Sequence, residues 1–241
     1  MSTPDSQAKP FWTPRMQAAA GVVAVIVVAA IVLAVVNLTG RAPTSGPGLS
    51  ASAVPTMSIT EADGCPELST DVGSGIVTEA PKTTWTLVGR MAAPLVEDQG
   101  PAVIDADGWR HCYARTPTGA LVAAANYVAM TEVPELIARL AEDGIMPGDL
   151  RDRAIATPAM PSASTTTMQL RGFRVVSFTT DMAVVDLAVE IQGKIGSMMI
   201  TLRWYQGDWR LGVRGAGATQ ELDIDYGNLP SFYGYVAWAG A

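Results

Sequence analysis

The sequence predicts an α+β protein that a single N-terminal transmembrane helix anchors to a membrane. An uninterrupted apolar run at residues 18–38 predicts the anchor, and helix-like patterns followed by strand-like alternation predict the fold class. We divide the chain into a cytoplasmic tail at 1–17, a transmembrane helix at 18–38, a flexible stalk at 39–60 and an extracytoplasmic α+β domain at 61–241.

The apolar run from Ala18 to Leu38 carries no charged residue and is long enough to cross a bilayer, which takes about 20 residues in a helix. Backbone polar groups in lipid must bond within the segment, so the run should be helical despite its many valines. The alternative is a cleaved secretory signal, whose apolar part is shorter and whose small-residue cleavage site lies close behind. The nearest such site, Ala51–Ala53, is well downstream. The sequence favours an uncleaved anchor.

Basic residues predict the orientation of this anchor. Lys9 and Arg15 precede the apolar run, and Arg41 follows it. Because the side with more basic residues stays in the cytoplasm, we expect a single-pass protein of the cell membrane with a cytoplasmic N-terminus. The C-terminal domain is then extracytoplasmic.

Charge and cysteine content set two further expectations. The chain has 16 basic and 23 acidic residues, a net charge of -7, which repels phosphate backbones and argues against direct nucleic-acid binding. Cys65 and Cys112 form an even pair, which outside the cytoplasm predicts one disulfide worth about 4 kcal/mol in the chain-entropy model. The alternative is two unpaired cysteines that act as small buried hydrophobes.

Two helices are predicted in the middle of the chain. Thr116 suits an N-cap and Pro117 the first helical position, and an alanine-rich run follows that would pack closely on a sheet or another helix. A second helix, at about 132–142, ends before Gly144 and Pro147. Its apolar face has helical spacing and comprises Val133, Leu136, Ile137 and Leu140.

Alternating apolar residues predict an antiparallel sheet after these helices. A polar loop at 157–167 precedes it, and the predicted strands are Leu170–Phe178, Val185–Gln192, Met198–Tyr205 and Trp209–Arg214. Gly207–Asp208 predicts a tight hairpin between the last two strands. Short connections imply a meander with one face in the core.

Two helices followed by long antiparallel strands that end in WYQGDWRL (204–211) resemble the cone-shaped fold of nuclear transport factor two and ketosteroid isomerase. The resemblance covers about residues 117–213 and implies two helices packed on a curved sheet. An anchor joined to that fold resembles the inner-membrane assembly factors of type IV secretion and conjugation machines. GWRHCYARTPTGALVAAANY (108–127) and YGYVAWAGA (233–241) resemble uncharacterised single-pass actinobacterial proteins of integrative conjugative elements.

The sequence predicts no catalytic, cofactor-binding or metal-binding residues. His111 and Cys112 suggest a thiol-protease pair, but neighbours in an extended strand point to opposite faces, and a bridged cysteine is not a nucleophile. The carboxylates of Glu221, Asp223 and Asp225 alternate along the chain and could bind a hard cation. The favoured interpretation is a charged, solvated edge strand. Asp105–Gly108 predicts a turn and lacks the further ligands of a calcium loop.

The C-terminal segment supplies candidate interaction residues, because aromatic side chains dominate the binding energy of many interfaces. The candidates are Phe232, Tyr233, Tyr235 and Trp238. Two alternatives remain open: the segment packs back on its own domain, or it contacts the outer lipid surface.

The first functional hypothesis is a non-enzymatic structural subunit of a conjugation or type IV secretion-like DNA-transfer apparatus. It would oligomerise through its extracytoplasmic domain and contact the membrane and other secretion subunits. The alternative is an anchored small-ligand-binding or isomerase-like domain with an apolar cavity. An open cone with convergent polar groups favours the alternative, and a filled cone favours the first hypothesis. A cell-envelope sensor is a weaker third idea, since the cytoplasmic tail is too short for an output domain.

Overall fold

The computed structural model describes residues 64–157 and 168–240. The predicted tail, transmembrane helix and stalk lie outside the described residues, as does nearly all of the predicted loop at 157–167. Among the helices of the described part, none is both long enough and apolar enough to cross a membrane. The described residues form an α+β fold with few helices on a mostly antiparallel sheet, which confirms the predicted class.

The first half of the domain holds four short strands and three helices. The strands are β1 Thr84–Val88, β2 Met91–Leu95, β3 Val103–Ile104 and β4 Arg110–His111. The helices are α1 Pro117–Met130, α2 Pro134–Arg139 and α3 Asp149–Ala156, with a π-helical turn at Leu140–Gly144 directly after α2.

The second half is mostly strand. The long strands are β5 Met168–Thr179, β6 Met182–Ile191 and β7 Lys194–Tyr205, and β8 Asp208–Leu211 follows them. The remaining elements are β9 Val213–Arg214, a 3-10 turn at Gly217–Thr219, β10 Glu221–Leu222, β11 Ile224–Asn228 and β12 Val236–Ala237.

The main sheet has the strand order β11-β7-β6-β5-β12, and β8 also pairs with β7. All of these pairs are antiparallel. The β7–β8 hairpin turns at Gln206–Gly207, one residue earlier than predicted. Both of these residues have positive φ, 48° and 78°, as a two-residue type I′ turn requires. Asp208 therefore belongs to the strand, where it pairs with Tyr205.

Helix α1 begins where the sequence predicts. The side chain of Thr116 accepts a hydrogen bond from the Gly119 N–H at 2.9 Å, and Pro117 opens the helix. Every residue of α1 except Thr118 is buried, and the helix contacts β2 as well as β5 to β8. Its alanines allow this close approach from several sides, so α1 is the centre of the core rather than a surface helix.

The other two helices depart from the prediction. Helix α2 ends at Arg139 and continues as the π-helical turn to Gly144, where an added Cβ would lie 2.5 Å from the Leu140 side chain. Leu136 and Leu140 are buried as predicted, whereas Ile137 is only half-buried. The sequence did not predict α3. None of its residues is fully buried, and it contacts the core through the half-buried Leu150, so its apolar face is too narrow to predict a helix.

Candidate functional site

A polar cleft of about 190 Å³ lies between the β7–β8 hairpin, the end of β4 and the end of α2. It brings charged and sulfur-containing side chains from distant parts of the chain together. The lining residues are Cys65, Trp109, His111, Arg139, Asp143, Gln206, Asp208 and Arg210. A smaller cleft of about 50 Å³ shares Asp143, Gln206 and Arg210 with it and adds Arg151. We call the larger one the disulfide cleft.

Asp208 lines the disulfide cleft and connects two distant parts of the chain there. Its carboxylate accepts hydrogen bonds from the backbone N–H groups of Cys112 at 2.8 Å, Tyr113 at 3.0 Å and Trp209 at 2.9 Å. The side chain is nearly inaccessible, and this burial raises the pKa of Asp208, whereas the three N–H donors and Arg210 act in the opposite direction. One carboxylate thus holds the segment that precedes α1 against the hairpin.

The predicted disulfide between Cys65 and Cys112 is present, with an S–S distance of 1.98 Å. It ties the beginning of the described domain to the segment between β4 and α1. The two sulfur-bearing residues differ in access: Cys112 is 1% exposed, whereas Cys65 is partly exposed and lines the cleft. Cys112 has a φ of 65°, so the extended backbone of β4 ends there.

His111 and Cys112 do lie close together, contrary to the expectation that they point to opposite faces. The His111 Nδ1 atom is 3.3 Å from the Cys112 sulfur. The expectation was wrong because it assumed an extended backbone, and the left-handed conformation of Cys112 turns its sulfur back towards the ring. The other argument against a protease pair stands, since Cys112 is bridged.

The imidazole of His111 is oriented by a carboxylate. Its Nε2 atom lies 3.3 Å from Asp105 Oδ1, and Asp105 in turn accepts a hydrogen bond from Arg139 Nη2 at 3.1 Å. An ionised carboxylate only accepts, so this contact favours the tautomer with the proton on Nε2. The lone pair of Nδ1 then faces the disulfide. The spacing of Asp105, His111 and Cys112 in the sequence did not predict that these three side chains contact one another.

Donor atoms of Cys65, His111 and Cys112 all lie within 4.8 Å of one another. Two cysteines and one histidine are ligands that zinc prefers, but zinc binds thiolates, and bridged sulfurs are not thiolates. This set would therefore hold a metal only in the reduced chain.

Arg214 lies among the three acidic residues of the predicted edge strand. Its guanidinium bonds Glu221 at 2.9 Å and Asp225 at 2.7 Å, and it lies 3.5 Å from Asp223. A positive group thus stands where a hard cation would. The predicted single edge strand is two strands: β10, with Glu221, pairs with β9 in a separate two-stranded sheet, and β11, with Asp225, is an edge strand of the main sheet.

Two arginines of the described part of the chain carry a buried N–H group without a partner. In the described ranges, the Nε atoms of Arg151 and Arg210 are inaccessible to solvent and make no hydrogen bond. Both residues line the smaller cleft. Arg151 lies on α3, which the sequence did not predict, and Arg210 alternates with apolar neighbours in β8, so neither residue stood out in the sequence.

The C-terminal aromatic segment packs largely on its own domain. Trp238 is 4% exposed, its ring lies 5.1 Å from Trp85 and 5.3 Å from Phe173, and its Nε1 donates to Thr83 at 2.8 Å. Burial at this depth identifies Trp238 as a core residue.

Tyr235 and Phe232 also pack inward, and Tyr233 does not. The Tyr235 hydroxyl donates to the buried carboxylate of Asp186, and its ring lies 5.7 Å from Phe232. Tyr233 is 92% exposed. Of the four candidate interaction residues, Tyr233 is the one whose ring the fold leaves in solvent.

No curated protein and no solved structure matches the chain. Residues 45–237 match a family described as a domain of unknown function (DUF8175), and the match spans the described elements from β1 to β12. The chain therefore belongs to the DUF8175 family.

Proposed function

We propose that this chain is a non-enzymatic, membrane-anchored structural subunit of a conjugation or type IV secretion-like DNA-transfer apparatus. Its extracytoplasmic domain would assemble with further copies of itself and with other subunits of the apparatus. The observation that carries the proposal is the packed interior of the domain. The choice of apparatus rests on the sequence resemblances at residues 108–127 and 233–241.

Helix α1 occupies the face of the sheet that would line the cavity of a ligand-binding cone. Phe173, Val185, Leu187, Ile200 and Leu202 on this sheet are fully buried and belong to one core cluster with α1. A ligand in this position would have to displace the helix. The two clefts described above are polar and enclose about 190 and 50 Å³, whereas pockets for drug-sized ligands usually enclose about 300–1,000 Å³. Packing of this kind supports a structural role.

The polar groups in the interior have structural partners. Asn126 donates from its amide to the carbonyls of Pro94 and Val122, both at 2.9 Å, and accepts from Arg110. Asp186 accepts from Ser197 at 2.6 Å and from Arg174 at 2.9 Å. The side chains of Asn126 and Asp186 thus hold elements of the fold together. Isomerase chemistry would instead need polar side chains that are free to face a substrate.

Tyr233 supports a role in protein contacts. The residues on either side of it hold the segment on the domain, since Phe232 packs beside Gly172 and Tyr235 bonds to Asp186. An exposed aromatic ring on a fixed backbone loses little conformational entropy when a partner covers it. Anchored domains would also meet at high effective concentration, so that weak contacts of this kind suffice for assembly.

Gentle detergent extraction from the native cells tests the proposal, followed by size analysis and mass spectrometry of the co-purifying chains. We expect recovery in a large complex with a transfer ATPase or other channel subunits. Extraction from cells that lack the affinity-tagged chain controls for carry-over. Recovery as a lone monomer would contradict the proposal and would favour the ligand-binding alternative.

A further inference from the structure

We propose that the Cys65–Cys112 disulfide is a thiol-exchange centre, in which a low-molecular-weight thiol attacks Cys65 and His111 assists the departure of Cys112. The inference rests on the geometry of the disulfide cleft alone. It does not depend on the proposed role in DNA transfer.

Access selects the sulfur that is attacked. Thiol–disulfide exchange requires a thiolate to reach one of the two sulfur atoms. Cys65 lines the disulfide cleft and is partly exposed, whereas Cys112 is 1% exposed. A thiol that enters the cleft therefore meets Cys65 first, and Cys112 becomes the leaving group.

The surroundings of Cys112 suit a leaving thiolate. His111 Nδ1 lies 3.3 Å from its sulfur, and Asp105 accepts from the opposite ring nitrogen. A proton on Nδ1 would give an imidazolium between the Asp105 carboxylate and the new thiolate. Cations beside a cysteine stabilise its thiolate form. The backbone N–H of Cys112 bonds to Asp208 at 2.8 Å, so the residue stays in place when the S–S bond breaks.

The other charges of the cleft are largely paired with one another. Arg139 lines the cleft but bonds the three carboxylates of Asp105, Asp107 and Asp143, so its positive charge is already balanced there. The Asp208 carboxylate accepts from three backbone N–H groups. The assistance to the leaving sulfur is therefore assigned to His111.

The exchange step balances in the following way. The thiol gives its proton to His111 Nδ1, and its sulfur forms a bond to the Cys65 sulfur. The Cys65–Cys112 bond breaks, and its electron pair leaves on Cys112 as a thiolate beside the imidazolium. The products are a mixed disulfide at Cys65 and a free Cys112, and a second thiol molecule would release Cys65 by the same chemistry.

Peptide mass spectrometry of the oxidised full chain tests the inference. The folded chain is incubated with glutathione, quenched with acid and alkylated. We expect the glutathione adduct on Cys65 and the alkyl label on Cys112. An adduct on Cys112, or reaction only after urea unfolds the chain, would overturn the inference. This measurement uses the unaltered chain, so it does not depend on any variant folding.

Variants test the role of His111. We expect His111→Ala to slow the exchange at least tenfold. This is less than the rate increase of about 10²–10⁴-fold that general acid–base catalysis typically supplies. Lys194→Ala, on the exposed β6–β7 hairpin, is the control and should react at the unaltered rate. Asp105 acts through His111 as a positioning residue, so Asp105→Asn should change the pH profile of the exchange and Asp105→Glu should restore it. Equal exchange rates for His111→Ala and the unaltered chain would refute the proposal that His111 assists the departure of Cys112.

Discussion

Asp208→Ala is expected to lower the free energy of unfolding by about 3–5 kcal/mol, because each buried donor left without an acceptor costs about 1–3 kcal/mol. The change leaves the backbone N–H groups of the buried residues Cys112, Tyr113 and Trp209 without an acceptor. It also disconnects the segment before α1 from β8. Urea denaturation of the purified full chain measures the loss.

Two variants control the Asp208 experiment. Asp208→Asn keeps an oxygen acceptor in place, so its loss should be smaller than that of Asp208→Ala. Asp223→Ala removes a more exposed carboxylate whose Arg214 contact is long, at 3.5 Å, and should change stability by no more than about 0.5 kcal/mol. A loss below about 1 kcal/mol for Asp208→Ala would show that the carboxylate is not the anchor described here.

Ala124→Leu should destabilise the domain by about 3 kcal/mol, since extra methylene groups in a packed core typically cost about 1–3 kcal/mol and occasionally more. Ala124 lies at the middle of α1 and is 0% exposed. The matched control is Ala138→Leu on the exposed side of α2, which should change stability by no more than about 0.5 kcal/mol. Thermal and urea unfolding of both full-length variants give the comparison.

The Ala124 variant also separates the two functional hypotheses. A neutral or stabilising effect of Ala124→Leu would mean that α1 borders empty space, as an apolar ligand cavity would provide. That result would contradict the packed interior and favour the ligand-binding alternative.

The local signals in the sequence predicted the main elements well. The cap at Thr116 and the proline after it placed the start of α1, and alternation placed β5 to β8 to within a few residues. Each of these signals depends on neighbouring residues alone. Helix α3 has no fully buried residue and contacts the core through the half-buried Leu150, so hydrophobic periodicity gave too weak a signal to predict it.

The candidate site was less predictable, because it depends on contacts between distant residues and on one unusual backbone angle. The bond from Cys112 to Asp208 spans 96 residues. The approach of His111 to the disulfide requires the positive φ of Cys112, which nothing in the sequence around it indicates. Similarly, the composition of the C-terminal segment did not reveal that Trp238 is buried and Tyr233 is exposed.

If the domain works through protein contacts, as we propose, site-specific photocrosslinking in the native cells should capture the partner at Tyr233. A photoreactive phenylalanine derivative replaces Tyr233 in one strain and Lys194, on the remote exposed hairpin, in a control strain. We expect adducts from position 233 with a second copy of the chain or with another subunit of the proposed transfer apparatus, well above those from position 194. Equal and negligible crosslinking from both positions, with the chain migrating as a monomer, would contradict it.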